Sequence, residues 1–144
     1  MIIDSQNLFS DAQALTASAA STNLIDLGAE NEQGIGEPMA VVMTVDVAAD
    51  FTTGDETYVF NVEVDALAAF GSAVTAISKT ILAAALTAGS QHIIPIPPDE
   101  SMERFVRIGY VLAGTTPTLT ITAMLMPMSM VQNDKYHLDG ITIS

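Results

Sequence analysis

Apolar and polar residues alternate with a period of two along most of this sequence. Residues 58–65 (YVFNVEVD) show the pattern most clearly, because four apolar side chains alternate with positions that include Asn61, Glu63 and Asp65. Successive side chains of a strand point to opposite faces of its sheet, so this pattern predicts a strand with one buried and one solvated face. The same alternation predicts further strands at 39–47, 104–113, 117–126, 22–27 and 91–96.

Short turn segments separate the predicted strands. Many short strands joined by turns indicate an all-β antiparallel sandwich or barrel. Pro95 marks the 91–96 strand as an edge or bulged strand. The stretch 66–88 is ambiguous, because its alanines favour a helix whereas Gly71 and several β-branched residues oppose one. We predict a turn near 66–72, a strand near 73–81 and an irregular connection after it.

The last eighteen residues, 127–144, lack clear alternation. Their apolar residues are too few to form a core of their own, which predicts an extended C-terminal arm that contacts another chain. A final strand folded back on its own sheet is the alternative. These apolar arm residues are Tyr136, Leu138, Ile141 and Ile143.

Four methionines repeat at a spacing of two just before and within this arm: Met124, Met126, Met128 and Met130. They share one strand face. Core packing is one interpretation, and an adaptable contact surface for another protein is the other. Together with the four apolar arm residues, they are the candidate protein-interaction residues.

The composition narrows the classes of partner. With 144 residues and 49% hydrophobic content, the chain fits one domain with a substantial core. Four Lys and Arg against seventeen Asp and Glu give a net charge of −13, which argues against nucleic acid and against anionic membrane surfaces. No apolar stretch approaches the roughly 20 residues of a membrane-spanning helix, and cysteine is absent.

Candidate chemistry is sparse, so we predict no enzyme activity, no metal and no cofactor. His92 and His137 lie far apart in sequence. His137 and Asp139 could form a catalytic base and the carboxylate that orients it, but two solvated residues of the C-terminal tail are the better interpretation. Two acidic groups invite comparison with divalent-cation sites or with the carboxylate pair of glycosidases, but solvated turns are the simpler interpretation. These groups are Asp50, Asp55 and Glu56, and Asp99, Glu100 and Glu103.

Several blocks between residue 4 and residue 126 are similar to one known family. They are 9–14 (FSDAQA), 21–28 (STNLIDLG), 36–38 (GEP), 85–89 (ALTAG), 96–98 (IPP) and 104–110 (RFVRIGY). In these blocks the chain resembles the small jelly-roll capsid cement, or decoration, proteins of tailed phages, of the Bordetella-podovirus type. The resemblance implies an antiparallel jelly-roll β-sandwich of about eight strands over residues 1–126, followed by the arm 127–144.

The resemblance also implies a function. The protein would be made in the host cytoplasm and would bind the outer surface of the phage head, joining major capsid subunits of the HK97-like fold. The methionine-rich strand and the 91–96 edge predict self-association as a homodimer, with a trimer as the competing state. A glycan-binding sandwich on a virion or cell surface is the alternative function, and a hydrolase is a more distant one.

Overall fold

The computed structural model describes residues 7–27, 31–32, 39–97 and 101–128. Within these residues the structure is formed by β-strands, with a 3₁₀ turn at Ala83–Ala85 between two of them. The strands are β1 (Leu8–Leu15), β2 (Ala19–Ala20), β3 (Ile25–Asp26), β4 (Asn31–Glu32), β5 (Met39–Val47), β6 (Thr57–Asp65), β7 (Val74–Ile81), β8 (Gln91–Ile96), β9 (Ser101–Met102), β10 (Phe105–Ala113) and β11 (Leu119–Pro127).

Two antiparallel sheets form the sandwich. Sheet A has the strand order β1-β11-β5-β8, and sheet B has the order β2-β10-β6-β7 with β3 also paired to β10. Strands from the two ends of the chain are therefore neighbours in both sheets, which is the jelly-roll arrangement of two interlocked Greek keys. Outside the sandwich, β4 and β9 form a small ribbon. The predicted antiparallel jelly-roll sandwich is confirmed.

The core lies between the two sheets and follows the alternation seen in the sequence. Strand β6 turns Tyr58, Phe60, Val62 and Val64 inward, and all four are at most 4% exposed. Phe60 meets Tyr110 of β10 edge to face, with ring centroids 6.0 Å apart. Burial of each such large apolar side chain contributes on the order of 1.5–3 kcal/mol relative to exposure, so this shared interior dominates the stability of the sandwich.

Strand boundaries agree with the sequence prediction in most places. The predicted turn near 66–72 and strand near 73–81 appear as a loop and as β7. The predicted strand 22–27 is reduced to the two residues of β3, because Asn23 leaves sheet B and donates its backbone N–H to the carbonyl of Phe9 in β1. The predicted strand is thus interrupted at Asn23, while β2 before it and β3 after it both pair with β10 of sheet B.

Strand β1 was not among the strands predicted from alternation. Its register against β11 shifts between Leu8 and Ser10 and again between Ser10 and Gln13, and Ala12 has a positive φ of 46°. These irregularities break the period of two, since a bulge adds an unpaired residue to one strand. Alternation therefore fails as a signal in β1, although the strand forms one edge of sheet A.

At the opposite edge of the sandwich, Lys79 joins the two sheets. Its position in β7 pairs with the inward-facing Phe60, and its Nζ donates to the carbonyl of Ile93 in β8, 2.8 Å away. This contact occupies a backbone acceptor of β8, which is the edge strand of sheet A. An inward-pointing lysine at an edge is one way in which β-proteins discourage edge-to-edge pairing.

Candidate functional site

The outer face of sheet A carries an apolar row that crosses the sheet from edge to edge. Leu8 of β1 pairs with Met124 of β11, Met124 pairs with Val42 of β5, and Val42 pairs with Ile93 of β8. Met126 continues the apolar surface one pair further along β11. An outer sheet face usually presents polar residues to water, so this face differs from the usual antiparallel pattern.

This surface forms a small apolar layer separate from the core between the sheets. Val42, Met124 and Met126 make up its cluster, with Leu8 and Ile93 packed against it. Val42 is 1% exposed, and Met124 and Met126 are each 6% exposed. Within the chain the layer is therefore covered, as a core would be.

The outer face of sheet B is polar. The Arg107 Nε lies 2.7 Å from the Glu63 carboxylate, and the Arg107 guanidinium also stacks 4.3 Å from the centre of the Phe70 ring. A Cβ at Gly109 would collide with the Glu63 carboxylate, so only glycine leaves room for this side chain to lie across β10. An open depression of about 250 Å³ lies beside the pair. It is lined by Ser18, Ala19, Ala20, Glu63, Arg107, Gly109, Tyr110 and Val111.

A third surface is formed by the loops at one end of the sandwich. The loop between β5 and β6 is joined to the loop between β10 and β11, because the Asp55 carboxylate accepts from both the backbone N–H and the hydroxyl of Thr115. These hydrogen bonds lower the pKa of Asp55. Glu56 accepts from the backbone N–H groups of Thr53 and Gly54 and is itself buried.

Comparison with known families gives a match to Bbp16 over residues 9–125. The chain belongs to the Bbp16 family. Bbp16 is a family of Bordetella phage proteins, in agreement with the resemblance found in the sequence. No curated protein matches the chain. The matched region begins in β1 and ends in β11, so it includes every strand of both sheets.

The structure brings some of the candidate interaction residues of this Bbp16-family chain together. Met124 and Met126 lie side by side in the outer layer of sheet A, and Met128, just beyond β11, is 36% exposed. Their role as an interaction site stays a prediction. The other candidates, Met130, Tyr136, Leu138, Ile141 and Ile143, lie outside the described residues.

The predicted acidic cluster at 50–56 consists of structural side chains in this Bbp16-family chain. Asp50 accepts from the backbone N–H of Thr52, and Asp55 and Glu56 hold the loop as described above. Of the second acidic cluster only Glu103 is described, since Asp99 and Glu100 lie outside the described residues. In the described ranges, no three His, Asp or Glu side chains come together in a way that could hold a metal ion.

In this family member His92 is partly buried and lies beside a serine hydroxyl. It lies on β8 within hydrogen-bonding distance of the Ser90 hydroxyl, with 3.1 Å between Nε2 and Oγ. Partial burial, together with Lys79 nearby, lowers the pKa of His92. His137 and Asp139 lie outside the described residues. In the part of the chain that is described, no helix has the length and apolar character needed to cross a membrane.

Both described tyrosines of the chain are buried, and the hydroxyl of each forms a hydrogen bond. The Tyr110 hydroxyl lies 2.7 Å from the Ser10 hydroxyl and so joins sheet B to sheet A, while burial raises the pKa of Tyr110 to about 12. The Tyr58 hydroxyl donates to the carbonyls of Asp50 and Thr118, which ties the loop end to the core.

Sequence reasoning missed two features of these surfaces. Leu8, Val42 and Ile93 complete the outer apolar row, but their alignment depends on strand register, and alternation within one strand does not contain it. In the sequence, Gly109 is one of the positions that alternate with apolar residues in 104–113. Its task of leaving space for Glu63 depends on pairing with β6.

Proposed function

We propose that this Bbp16-family chain is a structural virion protein, a capsid cement that binds the outer surface of a phage head and joins neighbouring major capsid subunits. The observation that carries the proposal is the family match over residues 9–125, which includes the complete jelly roll. The major capsid subunits would have the HK97-like fold, as the sequence resemblance implies. The role is structural rather than catalytic.

The surfaces of the sandwich support this proposal. The chain has exposed apolar side chains, among them Phe51, Leu67 and Val74, and a net charge of −13. A protein that binds a shell from outside needs surface for protein contacts, and strong negative charge disfavours non-specific binding to nucleic acid. Neither property requires a cofactor.

The glycan-binding alternative has less support. Sugar recognition by a sandwich of this kind would favour an exposed Trp or Tyr above a polar groove, and the chain has no Trp. Tyr58 and Tyr110 are at most 1% exposed and form part of the core. Tyr110 is the one aromatic residue among those that line the depression beside Glu63, and it is 1% exposed.

Sedimentation with capsid shells tests the proposed function. Purified protein is mixed either with assembled shells that lack the cement or with unassembled capsid subunits, and the bound fraction is measured. We expect binding to shells and little binding to free subunits, because a cement contacts sites that neighbouring subunits create together. Equal binding to both, or binding to neither, would contradict the proposal.

We also propose that the protein is a homodimer, with a trimer as the competing state. The methionine-rich strand β11 is paired on both sides, with β1 and β5, so the predicted edge that supports this proposal is β8, at the end of sheet A. Light scattering at tens of micromolar distinguishes these states by mass. A monomer in solution together with monomers on the shell would contradict this part of the proposal while leaving the cement function intact.

A further inference from the structure

The loop 50–56 between β5 and β6 is held rigidly by its own hydrogen bonds. Asp50 donates its backbone N–H to the Thr118 carbonyl, and its carboxylate accepts from Thr52. The Gly54 N–H donates to the Phe51 carbonyl in a tight turn, in which Gly54 has a positive φ of 82° that glycine tolerates. The tip of this loop therefore has a defined shape before any partner arrives.

The side chain displayed by this rigid loop is apolar. Phe51 is 54% exposed, although large aromatic side chains are usually buried. A depression of about 130 Å³ lies against it and is lined by Ala49, Asp50, Phe51 and Thr52. An aromatic residue and an acidic residue thus line the same small depression.

The charges around this depression have one sign. Of the connecting segments at this end, 48–56 contains Asp50, Asp55 and Glu56, whereas 82–90 and 114–118 contain no charged residue. The three described cations of the chain are engaged elsewhere: Lys79 with the Ile93 carbonyl, Arg104 with Asp26 and Arg107 with Glu63. No cation of the described residues therefore occupies the space beside Asp50 and Phe51.

We propose that the depression between Asp50 and Phe51 receives a lysine or arginine side chain from a basic patch of a partner protein. The ring face attracts a cation through its quadrupole, and the carboxylate supplies the opposite charge. Because the loop is already ordered, little conformational entropy is lost when the partner binds. The inference rests on the proposed function for the identity of that partner, which is the assembled capsid shell.

Two substitutions separate the ring from the charge. Phe51→Leu keeps apolar area but removes the aromatic face, and Asp50→Asn keeps an oxygen that can accept from Thr52 but removes the charge. Leu67→Ala is the matched control, because Leu67 is 67% exposed on a loop at the opposite end of the sandwich, held there by Asp65. Phe51 and Leu67 are exposed, and the half-buried Asp50 is replaced by a residue of the same shape that keeps the acceptor for Thr52, so we expect the melting temperatures to stay close to the wild-type value.

Binding of these variants to assembled shells is measured by sedimentation at low and at high salt. We expect Phe51→Leu to weaken binding about tenfold, the size of a desolvated cation–π contact. We expect Asp50→Asn to weaken it severalfold at low salt and much less at high salt, because salt screens the lost attraction. Leu67→Ala should bind as the wild-type protein does.

Each other outcome has a definite meaning. Full affinity of both Phe51→Leu and Asp50→Asn overturns the inference while wild-type binding upholds the proposed function. A fourth variant, Phe51→Ala, removes the apolar area as well as the aromatic ring. If Phe51→Ala loses shell binding while Phe51→Leu keeps it, the contact is simply apolar and the cation site is overturned. If Phe51→Leu abolishes self-association but not shell binding, the surface joins two copies of this chain, and the inference is wrong. Absence of wild-type binding to shells removes the proposed function and this inference with it.

Discussion

The outer faces of the two sheets are built on different principles, although both belong to the same sandwich. On sheet A the outward side chains of the central strands are Val42, Met124 and Met126, and each is at most 6% exposed. On sheet B the corresponding positions hold the Glu63–Arg107 ion pair and Val111, which is 41% exposed. Sheet A therefore has apolar layers on both sides, whereas sheet B has one.

This difference shows what each face can be used for. A polar outer face is compatible with water, and its side chains are stabilised by local hydrogen bonds and ion pairs. An apolar outer layer contributes burial energy only while protein covers it, so substitutions there should affect stability as core substitutions do. The following predictions test whether the two faces differ as much as their composition indicates.

The largest difference is expected for the same charged substitution on the two faces. Val42→Asp places a carboxylate at a position that is 1% exposed on central strand β5. We expect it to lower the free energy of unfolding by at least about 3 kcal/mol, because a buried charge without a partner is strongly unfavourable. Chemical denaturation measures the change.

Val111→Asp is the matched control on sheet B, because Val111 lies on central strand β10 and is 41% exposed. We expect it to change the free energy of unfolding by less than about 0.5 kcal/mol. Similar losses in the two variants would mean that the outer face of sheet A is no more buried than that of sheet B, and the comparison would fail.

A second test concerns the interior that both sheets share. Tyr110 points inward from β10, between the outward Gly109 and Val111, and its hydroxyl contacts Ser10 of sheet A. Tyr110→Phe removes this hydrogen bond and leaves the buried Ser10 with one partner fewer, so we expect a loss of about 1 kcal/mol at pH 7. Urea denaturation of both proteins measures the difference.

The same substitution has a distinct alkaline signature. The pKa of Tyr110 is raised to about 12 by burial, above the value of about 10 for an exposed tyrosine. The unfolded chain therefore ionises first, and the wild-type protein loses up to about 2.7 kcal/mol of stability as the pH rises from 10 to 12. The phenylalanine of the variant cannot ionise, so the stability advantage of the wild-type protein should shrink and then reverse over this range. A difference that stays constant would contradict the burial of the hydroxyl.

The sequence predicted the sandwich well because its signal is local. In β6, alternation alone identified the strand and its buried apolar side chains, since Asn61 and Glu63 are polar and face outward, but Asp65, predicted on the solvated face, is 6% exposed. In β11 the same rule found the strand but left two interpretations of Met124 and Met126, because apolar residues occupy both faces. Which residues meet across strands depends on register, and register is a property of the folded sheet.

The hydrogen bonds of the loops are a second feature that the sequence alone does not predict. The acidic residues 50–56 were correctly interpreted as a turn, but their individual hydrogen bonds depend on Thr115 and Thr118, about 60 positions away in the sequence. Phe51 carried no signal of its exposure, because a single phenylalanine beside a turn fits the core equally well.

The smallest expected effects come from the ion pairs of sheet B. Arg107 and Glu63 are 28% and 19% exposed, whereas Arg104 and Asp26 are 47% and 44% exposed. Both arginines also stack on an aromatic ring, so Arg107→Met and Arg104→Met are matched substitutions. We expect Arg107→Met to lower the free energy of unfolding by about 0.5–1 kcal/mol and Arg104→Met by less than about 0.5 kcal/mol, because solvent screens the more exposed pair.

Denaturation at low salt and at 1 M salt measures these losses. Both should shrink at 1 M salt, the Arg104 loss almost to zero, since the screening length falls to about 3 Å. If Arg104→Met costs as much stability as Arg107→Met at both salt concentrations, partial burial does not strengthen the Arg107–Glu63 pair relative to the Arg104–Asp26 pair.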